Sequence, residues 1–490
     1  MRESESMNFR HIFRMLGNIF LIEALFLIPP AILSIYDREP HVLWPILFTM
    51  GLLVSVFLAT KFFLSPRDRA FYAREGFLLV ALSWILVSAF GALPFALSGA
   101  IPNYLDAFFE SVSGFTTTGA TIVTDISTLS RALLFWRSFT HWMGGMGILV
   151  FLLALLRSAK GSGDSLFVLR AESPGPAVEK IVPKTREHAA ILYTIYIGMT
   201  TLCLILLLLG GLPVFDSFCI ALGTAGTGGC GILPDSVASY SPYIKLVITI
   251  FMALFGINFN LYFLLLAKRV KNFLRDEELR IYLCIMAFSI LIVTLNIMSL
   301  FDNFGAALSE SAFTVSSMMT TTGFSSANYN AWPQLSRSIL LILMMIGGSA
   351  GSTSGGLKIA RLVLLAKTSY RGLYKLLHPR SVMLVKINKR AVGENVLQGI
   401  SVYTTAYFGI LVLSFLLLSI DNFSLETNLS AILACLNNVG TGLGAVAPGG
   451  SYAGFSLFSK LLLTFDMLLG RLEIFPLLLL FHRRSWNRAA

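Results

Sequence analysis

The chain is short of charge. Only 13% of its 490 residues are Asp, Glu, Lys or Arg, against 56% that are hydrophobic, a balance that excludes an ordinary soluble globular protein of this length. Cysteine is scarce too. Cys203, Cys219, Cys230, Cys284 and Cys435 form an odd, scattered set without a Cys-x-x-Cys, which argues against a disulfide framework or a cysteine zinc site. The six histidines, His11, His41, His141, His188, His378 and His482, are dispersed and lack metal-ligand spacing. There is no convergent set of catalytic groups, so no enzyme is expected. Acidic residues are outnumbered 26 to 37, leaving a net charge of +11.

That positive excess does not read as nucleic-acid binding, because it is confined to alternate loops. Its clusters are Arg10 and Arg14; Lys61, Arg67, Arg69 and Arg74; Arg157, Lys160, Arg170, Lys180, Lys184 and Arg186; Lys268, Arg269, Lys271, Arg275 and Arg280; residues 358–390; and Arg483, Arg484 and Arg488. The positive-inside rule makes these loops, and with them both termini, cytoplasmic. Anionic membrane lipid or a partner protein is their secondary use.

What the chain has in abundance is apolar runs of about 20 residues, the length that crosses a hydrocarbon core. The first, residues 12–35, is too long for a signal peptide and lacks a small-residue cleavage pattern. It pairs with a second at 43–64. Four units follow, each a hydrophobic stretch, a short apolar segment, a tip and another hydrophobic stretch: 76–98, 106–115 and 135–156; 189–209, 215–225 and 243–267; 281–301, 308–319 and 336–365; 402–420, 427–436 and 457–481. The expectation is an all-α polytopic membrane protein of about ten spanning helices and four half-length re-entrant ones. Its segments run 1–70 (two N-terminal helices), 71–160, 161–270 (with a cytoplasmic connector), 271–380 and 381–490, one pore repeat in each of the last four.

The four tips share a Thr/Asn-x-Gly ending and recur at intervals of roughly a hundred residues. They are Thr116-Thr117-Thr118-Gly119-Ala120, Gly226-Thr227-Gly228-Gly229, Thr320-Thr321-Thr322-Gly323-Phe324 and Asn438-Val439-Gly440-Thr441. Irregular backbone at membrane depth is tolerated only where it is buried in protein or lines an aqueous cavity, so four equivalent tips are expected to surround one pore. Glycine permits positive φ and lets carbonyl oxygens face an axis. Carbonyls can replace the water shell of a monovalent cation, and the helix ends behind them carry partial negative charge. Acidic residues precede the tips: Asp106, Glu110, Asp216, Asp302, Glu310 and Glu426. They form either a cation-concentrating vestibule or local caps and salt bridges.

The second helix of the third unit contains Gly347-Gly348-Ser349-Ala350-Gly351-Ser352-Thr353-Ser354-Gly355-Gly356, just before Lys358. That composition breaks a helix, and a loop beneath the tips is positioned to gate the path. It lacks the Gly-Lys-Ser/Thr ending of a phosphate loop. Arg471 lies inside the last apolar helix, where a charge must face protein interior or water. We read it as a pore-facing charge; the alternative is a structural salt bridge with Glu473, Asp466 or a pore-helix acid.

Together these residues resemble the TrkH/KtrB family of bacterial potassium-uptake membrane subunits, related to plant high-affinity potassium transporters. The resemblance rests on Ser113-Gly114-Phe115 with the first tip, Trp142-Met143-Gly144-Gly145-Met146-Gly147, Arg170-Ala171-Glu172-Ser173-Pro174-Gly175-Pro176, Gly256-Ile257-Asn258-Phe259-Asn260, the 347–358 loop, Asn438-Val439-Gly440-Thr441-Gly442 and Leu469-Gly470-Arg471-Leu472-Glu473. The two N-terminal helices resemble the TrkH branch. The resemblance implies a homodimer in the bacterial inner membrane, one pore per protomer, no cofactor in this chain, and a cytoplasmic TrkA-like ring that binds NAD(H) or ATP and moves the glycine-rich loop. It carries potassium-binding carbonyl roles to Thr117, Thr118, Gly119 and Ala120; Gly226, Thr227, Gly228 and Gly229; Thr321, Thr322, Gly323 and Phe324; and Asn438, Val439, Gly440 and Thr441. In plant relatives, Ser at the first filter glycine goes with sodium transport, so Gly119 favours potassium. The second tip departs from the pattern: Gly229-Cys230-Gly231 stands where many relatives have Gly-Phe-Ser. A coupled transporter moving potassium with protons or sodium is the competing expectation.

Overall fold

The computed structural model describes residues 9–64, 73–147 and 185–481. The connector with the Arg170 to Pro176 motif and the chain beyond Phe481 lie outside the described residues. So does most of the basic stretch before the third hydrophobic run. Among the described residues, six helices are long and apolar enough to cross a bilayer. Phe9–Tyr36 and Pro40–Phe63 form the N-terminal pair; Glu75–Leu97, Glu187–Leu209, Glu277–Leu300 and Glu394–Asp421 each open one repeat. Behind each comes a pore helix: Tyr104–Phe115, Val214–Gly226, Phe304–Met319 and Leu425–Leu436. The longest has 16 residues, too few to span a core about 30 Å thick.

The starts of these elements follow from short polar side chains. Asn103, Asn303 and Ser424 cap three pore helices by accepting from the N–H groups of Leu105, Ala306 and Thr427. Ser130, Ser241 and Ser456 cap three of the exit helices that follow the tips, accepting from Leu133, Ile244 and Ser459. Each satisfies a donor that the first helical turn leaves without a partner.

The exit helices differ from expectation. The sequence predicts about ten spanning helices in all and one broken exit helix, in the third repeat. In the structure all four exit helices stop beside the ends of the pore helices. The first, Arg131–Gly145, ends there, and its predicted continuation lies outside the described residues. In the second repeat Pro242–Phe255 and Phe259–Leu266 meet at 94°. The third is interrupted between Ile346 and Ile359. The fourth runs Leu457–Arg471, then turns through Glu473 and Ile474, both at positive φ, into Phe475–Phe481. Close packing accompanies the breaks in the first and fourth repeats. A side chain on Gly144 would strike the carbonyl of Phe115, and one on Gly470 the carbonyl of Leu436; these residues end the first and fourth pore helices. The backbone groups freed by the breaks find partners, as burial in a membrane requires. Gly256 O accepts from Ser349 N (3.0 Å), Gly351 O from Phe259 N (2.9 Å) and Gly147 O from the Tyr193 hydroxyl (3.0 Å).

Candidate ion-conduction site

Each pore helix ends in the same hydrogen-bonded turn. Thr117 N bonds Gly114 O and Thr118 N bonds Ser113 O. The pairs Thr227 to Thr224 with Gly228 to Gly223, Thr321 to Met318 with Thr322 to Ser317, and Asn438 to Cys435 with Val439 to Ala434 repeat it. This is the Schellman closure, which needs a left-handed residue after the helix. Thr117, Thr227, Thr321 and Asn438 occupy that position, at φ 57°, 54°, 55° and 56°. Two residues on, Gly119, Gly229, Gly323 and Gly440 again have positive φ.

This repeat fixes the register of the tips. The equivalent segments are Thr117-Thr118-Gly119-Ala120, Thr227-Gly228-Gly229-Cys230, Thr321-Thr322-Gly323-Phe324 and Asn438-Val439-Gly440-Thr441. The second tip therefore sits one residue later than the sequence reading, which began it at Gly226. Gly226 is the last residue of its pore helix, packed so tightly that a side chain would strike the His141 carbonyl. Gly229, rather than Gly228, is the counterpart of Gly119, and Cys230 takes the place of Ala120, Phe324 and Thr441.

The four tips close a ring. A side chain on Gly119 would collide with the carbonyl of Gly228, one on Gly229 with that of Thr322, one on Gly323 with that of Val439, and one on Gly440 with that of Thr118. Each tip thus abuts the next, and the fourth returns to the first. Polar side chains tie neighbouring tips together: Asn438 Nδ2 donates to Thr118 Oγ1 (3.0 Å) and Thr441 Oγ1 to Gly323 O (3.2 Å). The Tyr452 hydroxyl holds Gly440 O from outside (2.8 Å). The tip residues are almost wholly buried.

The 347–358 segment lies against this ring. Gly355 N donates to Thr321 Oγ1 at 2.6 Å, and a side chain on Gly355 would meet the Asn437 carbonyl. Thr353 Oγ1 donates to Phe255 O (3.2 Å). Ala350 N donates to Glu278 Oε1 (2.6 Å). Lys358, itself at φ 72°, turns its ammonium back onto the Ser354 carbonyl, and Ser352 and Ser354 share a hydroxyl contact of 2.6 Å. Gly347, Gly351 and Gly356 supply positive φ. Gly348 packs where a side chain would strike Ser354 Oγ, and Ser349 is bonded to Gly256. The segment thereby touches the second, third and fourth repeats.

Arg471 connects that segment to the first repeat. Its guanidinium donates to Thr117 Oγ1 (3.3 Å), Thr353 O (3.1 Å), Gly145 O (2.8 Å) and Gly144 O, and stands 5.6 Å from the Trp84 ring. The acids considered as its salt-bridge partners have other contacts. Glu473 is bonded by Arg361, and Asp466 Oδ1 accepts from Ser414 (2.9 Å). Arg471 is thus immediately beneath the ring.

Four of the six acids before the tips form ion pairs. Asp106 bonds Lys460 (2.9 Å), Glu110 bonds Arg137 (2.7 Å), Glu310 bonds Lys245 (3.3 Å), and Glu426 bonds Arg337. Glu110 also accepts from Ile122 N (2.9 Å), bracing the strand-like chain after the first tip. Of the two open readings, the structural one describes these four. Sequence reasoning missed Glu278, Asn258 and the Arg361–Glu473 pair. Asn258 lay within a quoted motif, yet nothing in the pattern assigned it the task of capping Phe259–Leu266 through Asn260 N.

Comparison with known proteins gives the family. A family model described as TrkH, cation transport protein, matches residues 46–488. The Trk system potassium uptake proteins TrkH of Salmonella typhimurium and Escherichia coli K12 are 36% and 35% identical, each over 98% of this chain and 100% of the relative. The crystal structure of the potassium transporter TrkH from Vibrio parahaemolyticus superposes with a TM-score of 0.88 at 30% identity, covering 98% of this chain and 100% of that one. The chain is a membrane protein and belongs to the TrkH family of cation transport proteins.

Proposed function

We propose that this protein conducts potassium ions into the cell through the axis of the four-tip ring. The observation that carries the reading is the closed ring of backbone, Gly119 on Gly228, Gly229 on Thr322, Gly323 on Val439 and Gly440 on Thr118. Carbonyl oxygens in such a ring replace the hydration shell of a large monovalent cation without any acidic side chain. The names of the relatives, potassium uptake proteins all, supply the ion. In this reading the 347–358 loop is the gate, and Arg471, with its guanidinium on the loop and on the first tip's Thr117, limits cation occupancy below the ring.

The loop is bonded to Glu278 at the start of Glu277–Ile297, and the adjacent Glu277 is bonded by Lys367 and Asn388 N, in the stretch that carries the exposed basic residues Lys375, Arg380, Lys386, Lys389 and Arg390, which the positive-inside rule places in the cytoplasm. This supports a gate on the inner side of a pore in the bacterial inner membrane. A homodimer with a TrkA-like, nucleotide-binding cytoplasmic ring completes the proposed system. The ring's work is to break the few hydrogen bonds that pin the loop.

The test is flux through purified protein in liposomes under imposed ion and pH gradients. A reversal potential that follows potassium alone supports a passive selective pore. One that moves with pH or sodium replaces it with a coupled transporter.

A further inference from the structure

The second tip lacks a part that the other three carry. In each tip the second residue turns its carbonyl to the glycine of a neighbour: Thr118 to Gly440, Gly228 to Gly119, Thr322 to Gly229 and Val439 to Gly323. Three of these residues have a fully buried side chain that braces the backbone. Thr118 Oγ1 is bonded to Thr116 Oγ1 (2.8 Å) and accepts from Asn438 Nδ2 (3.0 Å), and Thr322 Oγ1 is bonded to Thr320 Oγ1 (2.7 Å). Val439 packs in an apolar cluster with Met318 and Leu443. Gly228 has no side chain to pack. Its backbone does not ask for glycine either, since its φ lies outside the left-handed region, whereas the next residue, Gly229, is at 59°.

The space a side chain would take is already occupied. A Cβ on Gly228 would lie 2.1 Å from Nδ1, 2.4 Å from Cγ and 2.8 Å from Cε1 of the His141 imidazole, far inside van der Waals contact. His141 belongs to the exit helix of the first repeat, Arg131–Gly145. It is 2% exposed, and its Nδ1 has no hydrogen-bond partner among the described residues, so that nitrogen is not engaged elsewhere. The helix that carries the ring is clamped on several sides. The His141 carbonyl packs onto Gly226 at the end of the second pore helix. Arg137, one turn earlier, is paired with Glu110 (2.7 Å), and the Trp142 carbonyl accepts from the Tyr196 hydroxyl (2.9 Å).

We propose that His141 serves as the missing side chain of the second tip, supplied by the first repeat, and that it sets the preference for potassium over sodium by fixing the Gly228 carbonyl. It is a positioning residue, acting through Gly228 and not on the ion. The inference rests on the potassium reading of the ring. Selectivity in a carbonyl ring depends on where the oxygens stand, and the Gly228 carbonyl forms the seam between the second tip and Gly119 of the first. Without the imidazole, Gly228 is an unbraced glycine with wide conformational freedom, free to turn that oxygen.

The experiment compares wild type, His141→Ala, Gly228→Thr and the double variant His141→Ala/Gly228→Thr. The potassium-to-sodium permeability ratio is read in proteoliposomes and the melting temperature on the purified chain. His141→Ala should lower the ratio by about tenfold, the scale on which a displaced carbonyl changes ion preference. Gly228→Thr alone, with the imidazole in place, is overpacked and should lose both stability and ratio. The double variant holds a threonine where the first and third tips do, and should return to within about threefold of the wild-type ratio, the non-additivity expected of two residues sharing one space. It decides the matter if His141→Ala alone does not fold, because it refills the gap. A wild-type ratio in His141→Ala with only a lowered melting temperature makes the imidazole mere packing and overturns the proposal. So does a double variant that folds without selectivity, or does not fold. A wild type that does not prefer potassium removes the potassium reading and this proposal with it, whereas a selective wild type keeps the two failures apart.

Discussion

At the scale of single residues, the ring is built from conformations that most side chains avoid. Left-handed backbone disfavours β-branched residues by about 1–2 kcal/mol, yet Thr117, Thr227 and Thr321 adopt it where glycine is the usual closing residue. Their side chains explain two of the three. Thr117 accepts from Arg471, and Thr321 accepts from the loop's Gly355. The structure gives no such reason for Thr227, whose hydroxyl bonds only its neighbour's carbonyl, Gly226 O. Replacing Thr321 by Gly should therefore separate strain from function. The backbone relaxes while one hydrogen bond is lost, terms of about 1 kcal/mol each, so the melting temperature should hardly move. The loop, freed from the ring, should leak: basal flux without any partner should rise severalfold. Lower stability with unchanged flux would assign the hydroxyl a purely structural role. Gly119 tests the ring itself. A serine there has a forbidden φ and a Cβ against the Gly228 carbonyl, so Gly119→Ser should shift that carbonyl and lower the potassium-to-sodium permeability ratio by about tenfold, a change of about 1.4 kcal/mol. An unchanged ratio would remove Gly119 from the selective site.

At the scale of elements, the sequence exposed the repeats and concealed their interruptions. The pore helices were legible because they are too short to span and lead into glycine-bearing tips. The third tip and the first were placed in register by Thr-Thr-Thr-Gly. The second was not, because Gly226-Thr227-Gly228-Gly229 offers several glycines and the helix end is set by backbone hydrogen bonds that no side chain announces. Gly256, Asn258 and Asn260 stand isolated within a long apolar run, too sparse a signal to announce the 94° bend. It arises where Gly256 presses on Tyr282 and Thr320, residues from the next repeat. The acids before the tips were ambiguous for the same reason, since Asp106 finds its lysine 354 positions away. The loop in the third repeat was foreseen, but what pins it was not. Glu278, in the first turn of Glu277–Ile297, holds Ala350 N, joining the loop to the helix that opens its own repeat. Glu278→Ala should release that end of the loop and raise basal flux in proteoliposomes. It should have a smaller effect when the pore is already held open by the cytoplasmic partner proposed above. Equal effects in both states would place Glu278 outside gating.

At the scale of the whole molecule, the ring belongs to no single repeat. Each tip is seated on the next, and Arg471 and the 347–358 loop join the fourth, third and second repeats to the first. A cation bound among the tips therefore exists as a bound species only when all four repeats are assembled. Binding to the folded state alone stabilises it by an amount that grows with ligand concentration, about 2.7 kcal/mol when the ion stands at a hundred times its dissociation constant. Raising potassium at constant ionic strength, with choline as replacement, should raise the melting temperature of the purified protein in a saturable way. Sodium should do so less, because it holds its hydration shell more tightly than carbonyls readily replace. Gly119→Ser should erode the difference between the two ions, in addition to lowering the baseline stability in choline through its strained φ and its clash with the Gly228 carbonyl. Equal stabilisation by potassium, sodium and choline would mean that the four tips meet without forming a cation site, and the conduction path would have to be sought elsewhere in the fold.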